Sequence, residues 1–470
     1  MQQEYLFMGY RACMRWTCLG HAMWLCEAAT LRVLFDPLLG ETYHDGVFAP
    51  VPRRHIDVDA LRPDVIVVTH QHPDHFDVAS LDVLAQQYPQ AVVLTADVLV
   101  GEVCLQLGFA HVSLLDEWQL LELDGLTLLT TPSFCAVDEW GVMVATADGV
   151  VWNQVDTELS VHCRAVIERA AVLLNRPELV EQITLLIARW QPLLQVDALL
   201  GHATNFPANR YSRELDRIAE CRAVAVIPGA AGSQLTPSGH WLNAFCYPVS
   251  VARVVRDVHR RCPGVAVYTA VPGACWDVVC GDVHPVNACD FVEITDDGDA
   301  RIFHPSSIPP VRDVGSGDAA ALRGLISPWV ETVLTPKVGT YLQPKGGGCL
   351  WLEVFYPDES RDVWTLQITA DRVVLLAGGV GDADMINQVT ATDLAAVITG
   401  QAPWGRALLS GRLRSMGVLY TVDETGLSAV AMPPFFVYLA IGYAAAMERW
   451  VKHQVAVCLR QREHAASHGT

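Results

Sequence analysis

Short apolar runs separated by polar turns organise the first 160 residues of the chain. Leu31 to Phe35, Val65 to Val68, Ala91 to Leu94, Leu126 to Thr130 and Val142 to Ala145 are rich in valine, leucine and isoleucine and have the length of buried strands. Ala79 to Tyr88 has a helical pattern, and residues 160 to 195 read as helical with a break near Pro177. Two strand–loop units are predicted next. One is the strand Asp197 to Leu200 leading to His202, and the other ends at Gly229. Strands mixed with helices in this order predict a layered α/β fold.

Around Ser306 to Gly317 the composition shifts to Pro, Ser, Gly and Asp, which predicts a linker between a first domain, residues 1–305, and a C-terminal α+β domain, residues 318–470. In the second part Trp364 to Leu376 reads as a strand pair. Asp384 to Gly400 reads as a strand followed by a helix that Thr392 or Asp393 could cap, and Ala407 to Leu413 as a short helix with Gly411 after it. Phe435 to Met447 is the most apolar stretch. It is too short to cross a bilayer and reads as a buried helix.

Composition narrows the function. The 470 residues are 51% hydrophobic, enough for a large core. A formal net charge of -20 argues against a nucleic-acid partner, which requires a basic surface. The chain does not open on a basic segment followed by an apolar one, so no signal peptide is predicted. Fourteen cysteines without a C-x-x-C pair fit reduced thiols in a cytoplasmic protein. Arg53 with Arg54, or Arg253, Arg256, Arg260 and Arg261, could supply a local basic patch for an acidic carrier protein, but either group reads first as an ordinary solvated face.

The chemistry is concentrated in Thr69 to Asp77, T-H-Q-H-P-D-H-F-D. His70, His72, Asp74 and His75 follow directly on the apolar run Val65 to Val68. Alternate residues of a strand share a face, so these side chains converge only where the strand ends and Pro73 helps to turn the chain. Two imidazoles followed by a carboxylate and a third imidazole suit two neighbouring metal ions.

This motif resembles that of the metallo-β-lactamase superfamily. Trp16 to Ala22 and Phe35-Asp36-Pro37 resemble the landmarks of a branch that includes sugar-lactone hydrolases and a domain of CMP-sialic acid hydroxylases. Further landmarks run through Asp156-Thr157, Ile227-Pro228 with Ala231-Gly232, Leu242-Asn243 and Val271-Pro272-Gly273 with Trp276-Asp277. The resemblance implies a four-layer αββα sandwich. It places His70 and His72 on one metal, Asp74 and His75 on a second, and Asp156 between them. His21 is implied to be a neighbour of the metals rather than a ligand. The C-terminal domain is similar, more weakly, to sterol-carrier-type domains through its T-x-x-D-L helix.

Hydrolytic members take a further histidine before the bridging aspartate, and Pro132 to Gly141 contains none. The candidates there are Glu139, Asp138 and Cys135, with Glu139 favoured for its reach. In this respect the chain resembles the non-haem diiron monooxygenases of natural-product pathways, among them β-hydroxylases of the chloramphenicol and platensimycin/platencin pathways. Carboxylate-rich sites favour iron over zinc. Pro228 is followed by Gly229 and Ala230 instead of the histidine seen in many hydrolases, so His202, or alternatively His240, is expected to complete the second site. The resulting expectation is a diiron monooxygenase with Glu139 and Asp156 at the reaction centre. It would hydroxylate an acyl group, carried as a coenzyme A or carrier-protein thioester, with electrons from a ferredoxin or reductase. The alternative is a dizinc hydrolase of a lactone, amide, thioester or phosphodiester.

Overall fold

The computed structural model describes residues 14–468 apart from 136, 160–161, 231, 247–248, 297–307 and 425. The landmark Ala231 and the first two residues of the predicted linker fall outside the described residues.

Two large sheets face each other in the first part of the chain. One has eight strands in the order Asp282–Val286, Cys275–Val279, Met14–Gly20, Met23–Ala28, Leu31–Phe35, Val65–Val68, Val92–Thr95 and His111–Leu114. The other has seven, in the order Ala266–Val267, Ala223–Pro228, Ile183–Ala188, Gly149–Asn153, Trp140–Thr146, Leu126–Pro132 and Leu120–Leu123. Between them lies a dry core that includes Trp16, Trp24, Phe35, Leu128, Leu185 and Trp276. Each fully buried side chain of this kind contributes roughly 1.5–3 kcal/mol.

The outer face of the eight-stranded sheet is covered by helices Val78–Gln87 and Val98–Leu107, and that of the seven-stranded sheet by Cys163–Leu173, Ala208–Glu220 and Val251–Arg261. This gives the four αββα layers expected. Asp77 and Asp97 cap the first two helices by accepting backbone N–H bonds.

Several local expectations are corrected. Residues 160–195 are not helical throughout. The helix Cys163–Leu173 and a short 3-10 turn at Pro177–Val180 are followed by the fully buried strand Ile183–Ala188. A short apolar run does not distinguish strand from helix, and here pairing with Gly149–Asn153 and Ala223–Pro228 decides. The predicted strand at Asp197 to Leu200 is part of a short helix, Gln195–Leu199, whose Ala198 and Leu199 pack beside Val47, Leu235 and Phe245. Phe435 to Met447 is not one helix but a 3-10 turn, Phe436–Leu439, followed by a helix from Tyr443.

The C-terminal domain is a five-stranded sheet in the order Val373–Ala377, Arg361–Ile368, Gly348–Phe355, Met385–Thr390 and Leu413–Gly417. Helices Ala319–Trp329, Thr335–Leu342, Ala391–Ile398 and Trp404–Leu409 accompany it. The cap of Ala391–Ile398 is Thr390 rather than Thr392 or Asp393. The Thr390 hydroxyl donates to Asp393 at 2.5 Å, and Arg412 donates to the same carboxylate at 2.6 Å.

The last helix, Tyr443–His468, then returns to the first part of the chain. Met447, Trp450, Val451 and Val455 join the core formed with Val78–Gln87 and Val98–Leu107. Arg462 donates to the carbonyl of Leu107 at 3.0 Å, a cation at a helix C-terminus. Asp45 accepts from Trp450 Nε1 at 2.9 Å and from Gln454 at 3.1 Å. No described helix is long and apolar enough to cross a membrane.

Candidate metal centre

The centre forms at one edge of the sandwich, where strand Val65–Val68 ends. His75 and Phe76 donate backbone N–H bonds to the carbonyl of His72 at 2.9 and 2.8 Å. That turn, begun at Pro73, folds Asp74 and His75 back over His70. Asp36, fully buried at the end of the neighbouring strand, accepts from the Thr69 backbone at 2.9 Å and its hydroxyl at 3.0 Å. It also accepts from His75 Nδ1 at 2.9 Å, which leaves Nε2 of His75 facing inward.

Among the described residues three groups of donor atoms converge, each with its atoms within 4.8 Å of one another: His70, His72 and Glu139; His70, His75 and Asp156; and His21, Asp74 and His75. His70 Nε2 lies 2.7 Å from His72 Nδ1 and 3.9 Å from Glu139 Oε2. His75 Nε2 lies 3.3 Å from Asp156 and 3.5 Å from Asp74. Asp156 thus faces the group that includes His70 and sits beside the pair Asp74–His75. Glu139 is 5% exposed and accepts from Ser133 Oγ at 2.7 Å. Asp138 points to solvent and Cys135 is exposed at the cavity wall.

The electrostatics suit a cation. Burial pushes the His70 and His72 imidazoles below their ordinary range, which favours the neutral form whose lone pair a metal takes. Burial opposes charge on His75 as well, but Asp74, Asp36 and Asp156 outweigh it and hold His75 well above the usual range. Burial disfavours ionised Asp74 and Asp156, yet His75 holds both below the usual carboxylate range. Fully buried Asp36 and half-buried Asp74 and Asp156 thus all face the His75 imidazole. Cations placed between the facing nitrogens and oxygens would offset this concentration of carboxylates, so the donor set fits two divalent ions.

Backbone strain gathers around the centre. His21, Asp36, His44 and Val155 all adopt left-handed φ angles, 52°, 43°, 53° and 53°. For β-branched Val155 this conformation is rarely tolerated, and here it aims Asp156 at the histidines.

The structure does not bring two predicted ligands to the centre. His202 is exposed, follows the helix Gln195–Leu199 rather than a strand, and lies 3.6 Å from Asp197, which Arg210 also holds at 2.8 Å. His240 is exposed on the 3-10 turn Pro237–Leu242. His21 is adjacent instead. Its Nδ1 accepts from Gly232 N–H at 3.1 Å, so Nε2 carries the proton given to Asp74 at 3.0 Å. His21 therefore holds Asp74 in place. The role of Asp36 was not read from the sequence beyond its place in a landmark, although Asp-Pro at a strand end was the available signal.

A cavity of about 380 Å³ opens over the donors. His72, Asp74, Glu139 and Asp156 form its floor, and Leu408, Leu409, Gly405 and Tyr443 bring in the other end of the chain as a wall. Fold and site together define a metallo-β-lactamase-type metal centre. Residues 15–162, which include every converging donor among the described residues, match the family model of the beta-lactamase superfamily domain.

No curated protein matches the chain by sequence. Among solved structures it is similar to Igni18, a metallo hydrolase from Ignicoccus hospitalis, with 15% identity, 58% of this chain and 98% of that one covered, and a TM-score of 0.38. It is similar to a possible metal-dependent hydrolase from Veillonella parvula, with 17% identity, 56% and 99% covered, and a TM-score of 0.39. It is also similar to CmlA, a diiron beta-hydroxylase from Streptomyces venezuelae, with 14% identity, 60% and 55% covered, and a TM-score of 0.36.

Proposed function

We propose that the chain is a dinuclear iron oxygenase that hydroxylates a C–H bond of an acyl compound. The observation that carries this reading is Glu139, a buried carboxylate facing His70 and His72 where hydrolytic relatives carry a histidine. Oxygen donors in place of nitrogen favour iron over zinc. His70, His72 and Glu139 would hold one ion, Asp74 and His75 the other, with Asp156 shared. When bound, the two ions supply the activation of dioxygen, with electrons from a ferredoxin or reductase.

The protein's own part is positional. Asp36 and Thr69 fix the imidazoles, His21 fixes Asp74, and Phe48, Leu408 and Leu409 keep the cavity floor from bulk water. The apolar wall suits an acyl chain, and a coenzyme A or carrier-protein thioester is the form proposed.

A second reading is dizinc hydrolysis. Its support is the second position, where His75 faces both Asp74 and Asp156 while His202 stays away, since three protein ligands and an open place are the pattern of a hydrolytic zinc. Metal analysis with oxygen-isotope labelling separates the two. Reduced, iron-loaded protein should place labelled oxygen in a hydroxyl of an acyl thioester only in air, and Glu139→His should shift preference toward zinc and suppress that product. Equal turnover by zinc-loaded protein without oxygen refutes the oxygenase.

A further inference from the structure

Away from the metal centre, two thiols meet near one edge of the eight-stranded sheet. Cys275 opens the strand Cys275–Val279, where it pairs with Thr17 on one side and Val286 on the other. Cys289 comes shortly after the edge strand Asp282–Val286. The Gly273 carbonyl holds both residues. It accepts from the Cys275 thiol at 3.4 Å and from the Cys289 backbone N–H at 2.9 Å. The Cys289 sulfur lies beside the same glycine, 3.9 Å from where its β-carbon would be. The Cys289 thiol donates to the Cys275 sulfur, and the Thr17 hydroxyl lies 3.3 Å from that sulfur.

The two sulfurs differ in a way that suits oxidation. The bond from Cys289, with that from Thr17, outweighs burial and brings the Cys275 thiol down to about 6, so a thiolate is available at neutral pH. The same contact, reinforced by burial, pushes Cys289 up and keeps its proton in place. Cys275 is 4% exposed and Cys289 is half-buried. Cys163 and Cys221 make a contrast. Both lie against Gln154 Nε2, at 3.9 and 4.0 Å, but they are 0% and 1% exposed, and burial pushes Cys221 well above its ordinary range. That pair has proximity without access.

We propose that Cys275 and Cys289 are a redox-active dithiol that hydrogen peroxide converts to a disulfide. The Cys275 sulfur attacks one peroxide oxygen and the O–O bond breaks. The hydroxide released takes up the proton that Cys275 had lost, and Cys275 is left as a sulfenic acid. The Cys289 sulfur then attacks the Cys275 sulfur, the S–O bond breaks, and hydroxide leaves with the Cys289 proton as a second water. The two sulfurs lose two electrons and the peroxide gains them. The bridge would tie together two supports of the segment that leads to His21. On one side Gly273 donates to the Cys18 carbonyl at 2.8 Å. On the other, Phe291 accepts from Asp57 at 2.9 Å beside the strand Arg53–Ile56, whose Arg54 donates to the Leu19 carbonyl.

The test uses the full chain loaded with zinc, which does not itself change oxidation state. With one peroxide per chain, two of the fourteen thiols should be lost, counted after denaturation. A peptide map without reductant should join Cys275 to Cys289, and dithiothreitol should restore both thiols. The oxidised chain should have a higher urea midpoint than the reduced chain, because the bridge restricts the unfolded state. Cys289→Ser should form no bridge and show no such shift. Cys275→Ser should do the same, and the map of the wild type carries the test if either variant fails to fold. No thiol loss, a bridge at Cys163 and Cys221 instead, or an oxidised chain no harder to unfold than the reduced one overturns the proposal.

Discussion

Asp36→Asn tests the metal centre through a residue that touches no ion. The substitution keeps size and shape. One amide atom can still accept from Thr69, whose backbone and hydroxyl lie 2.9 and 3.0 Å from the carboxylate. The atom facing His75 Nδ1 at 2.9 Å is then an N–H donor where an acceptor stood. Two donors cannot share that contact, so His75 turns its lone pair toward residue 36 and its proton toward the cavity. Its inward nitrogen can no longer coordinate. Loss of a carboxylate behind a ligating histidine typically costs 10–100-fold in metal affinity, about 1.4–2.7 kcal/mol. The loss should fall on the position formed by Asp74 and His75 and spare that of His70 and His72. Chelator competition followed by elemental analysis should show metal content dropping from about two ions per chain toward one. If Asp36→Asn retains both ions with wild-type affinity, His75 does not bind metal as described.

His202→Ala should leave metal content and affinity unchanged and stability within about 0.5 kcal/mol, as for an exposed residue; loss of an ion would restore His202 as a ligand. Trp450→Ala should lower unfolding stability in urea by roughly 3–5 kcal/mol, because the ring is 4% exposed and fills the space between the last helix and the first two; a loss below about 1 kcal/mol would contradict that packing role.

The metal motif was legible because everything it needs is local. A buried strand, a turn at Pro73 and four candidate ligand residues lie within one short segment, and the strand Val65–Val68 falls where its valines predict. The choice between Asp138 and Glu139 depended on which neighbour turns inward as strand Trp140–Thr146 begins, and reach alone favoured the residue that proved buried. His202 misled because four residues around Asp197 fit a strand as well as a helix, and the vacancy at Gly229–Ala230 invited a substitute. Asp36 could not have been found by spacing, since it lies 39 positions from its histidine partner. A separation of more than 350 positions hid the return of the last helix.

That return has a consequence for how the protein is made. The outer face of helices Val78–Gln87 and Val98–Leu107 is sealed by Met447, Trp450, Val451 and Val455. At roughly 5–20 residues per second, a nascent chain that has emerged through Leu107 waits on the order of twenty seconds to a minute for its cover. Throughout that interval the half-built sandwich presents an apolar stripe, and premature termination anywhere beyond the metal motif leaves it bare. Synthesis of this chain should therefore depend on chaperones that hold exposed apolar surface until the very last helix emerges.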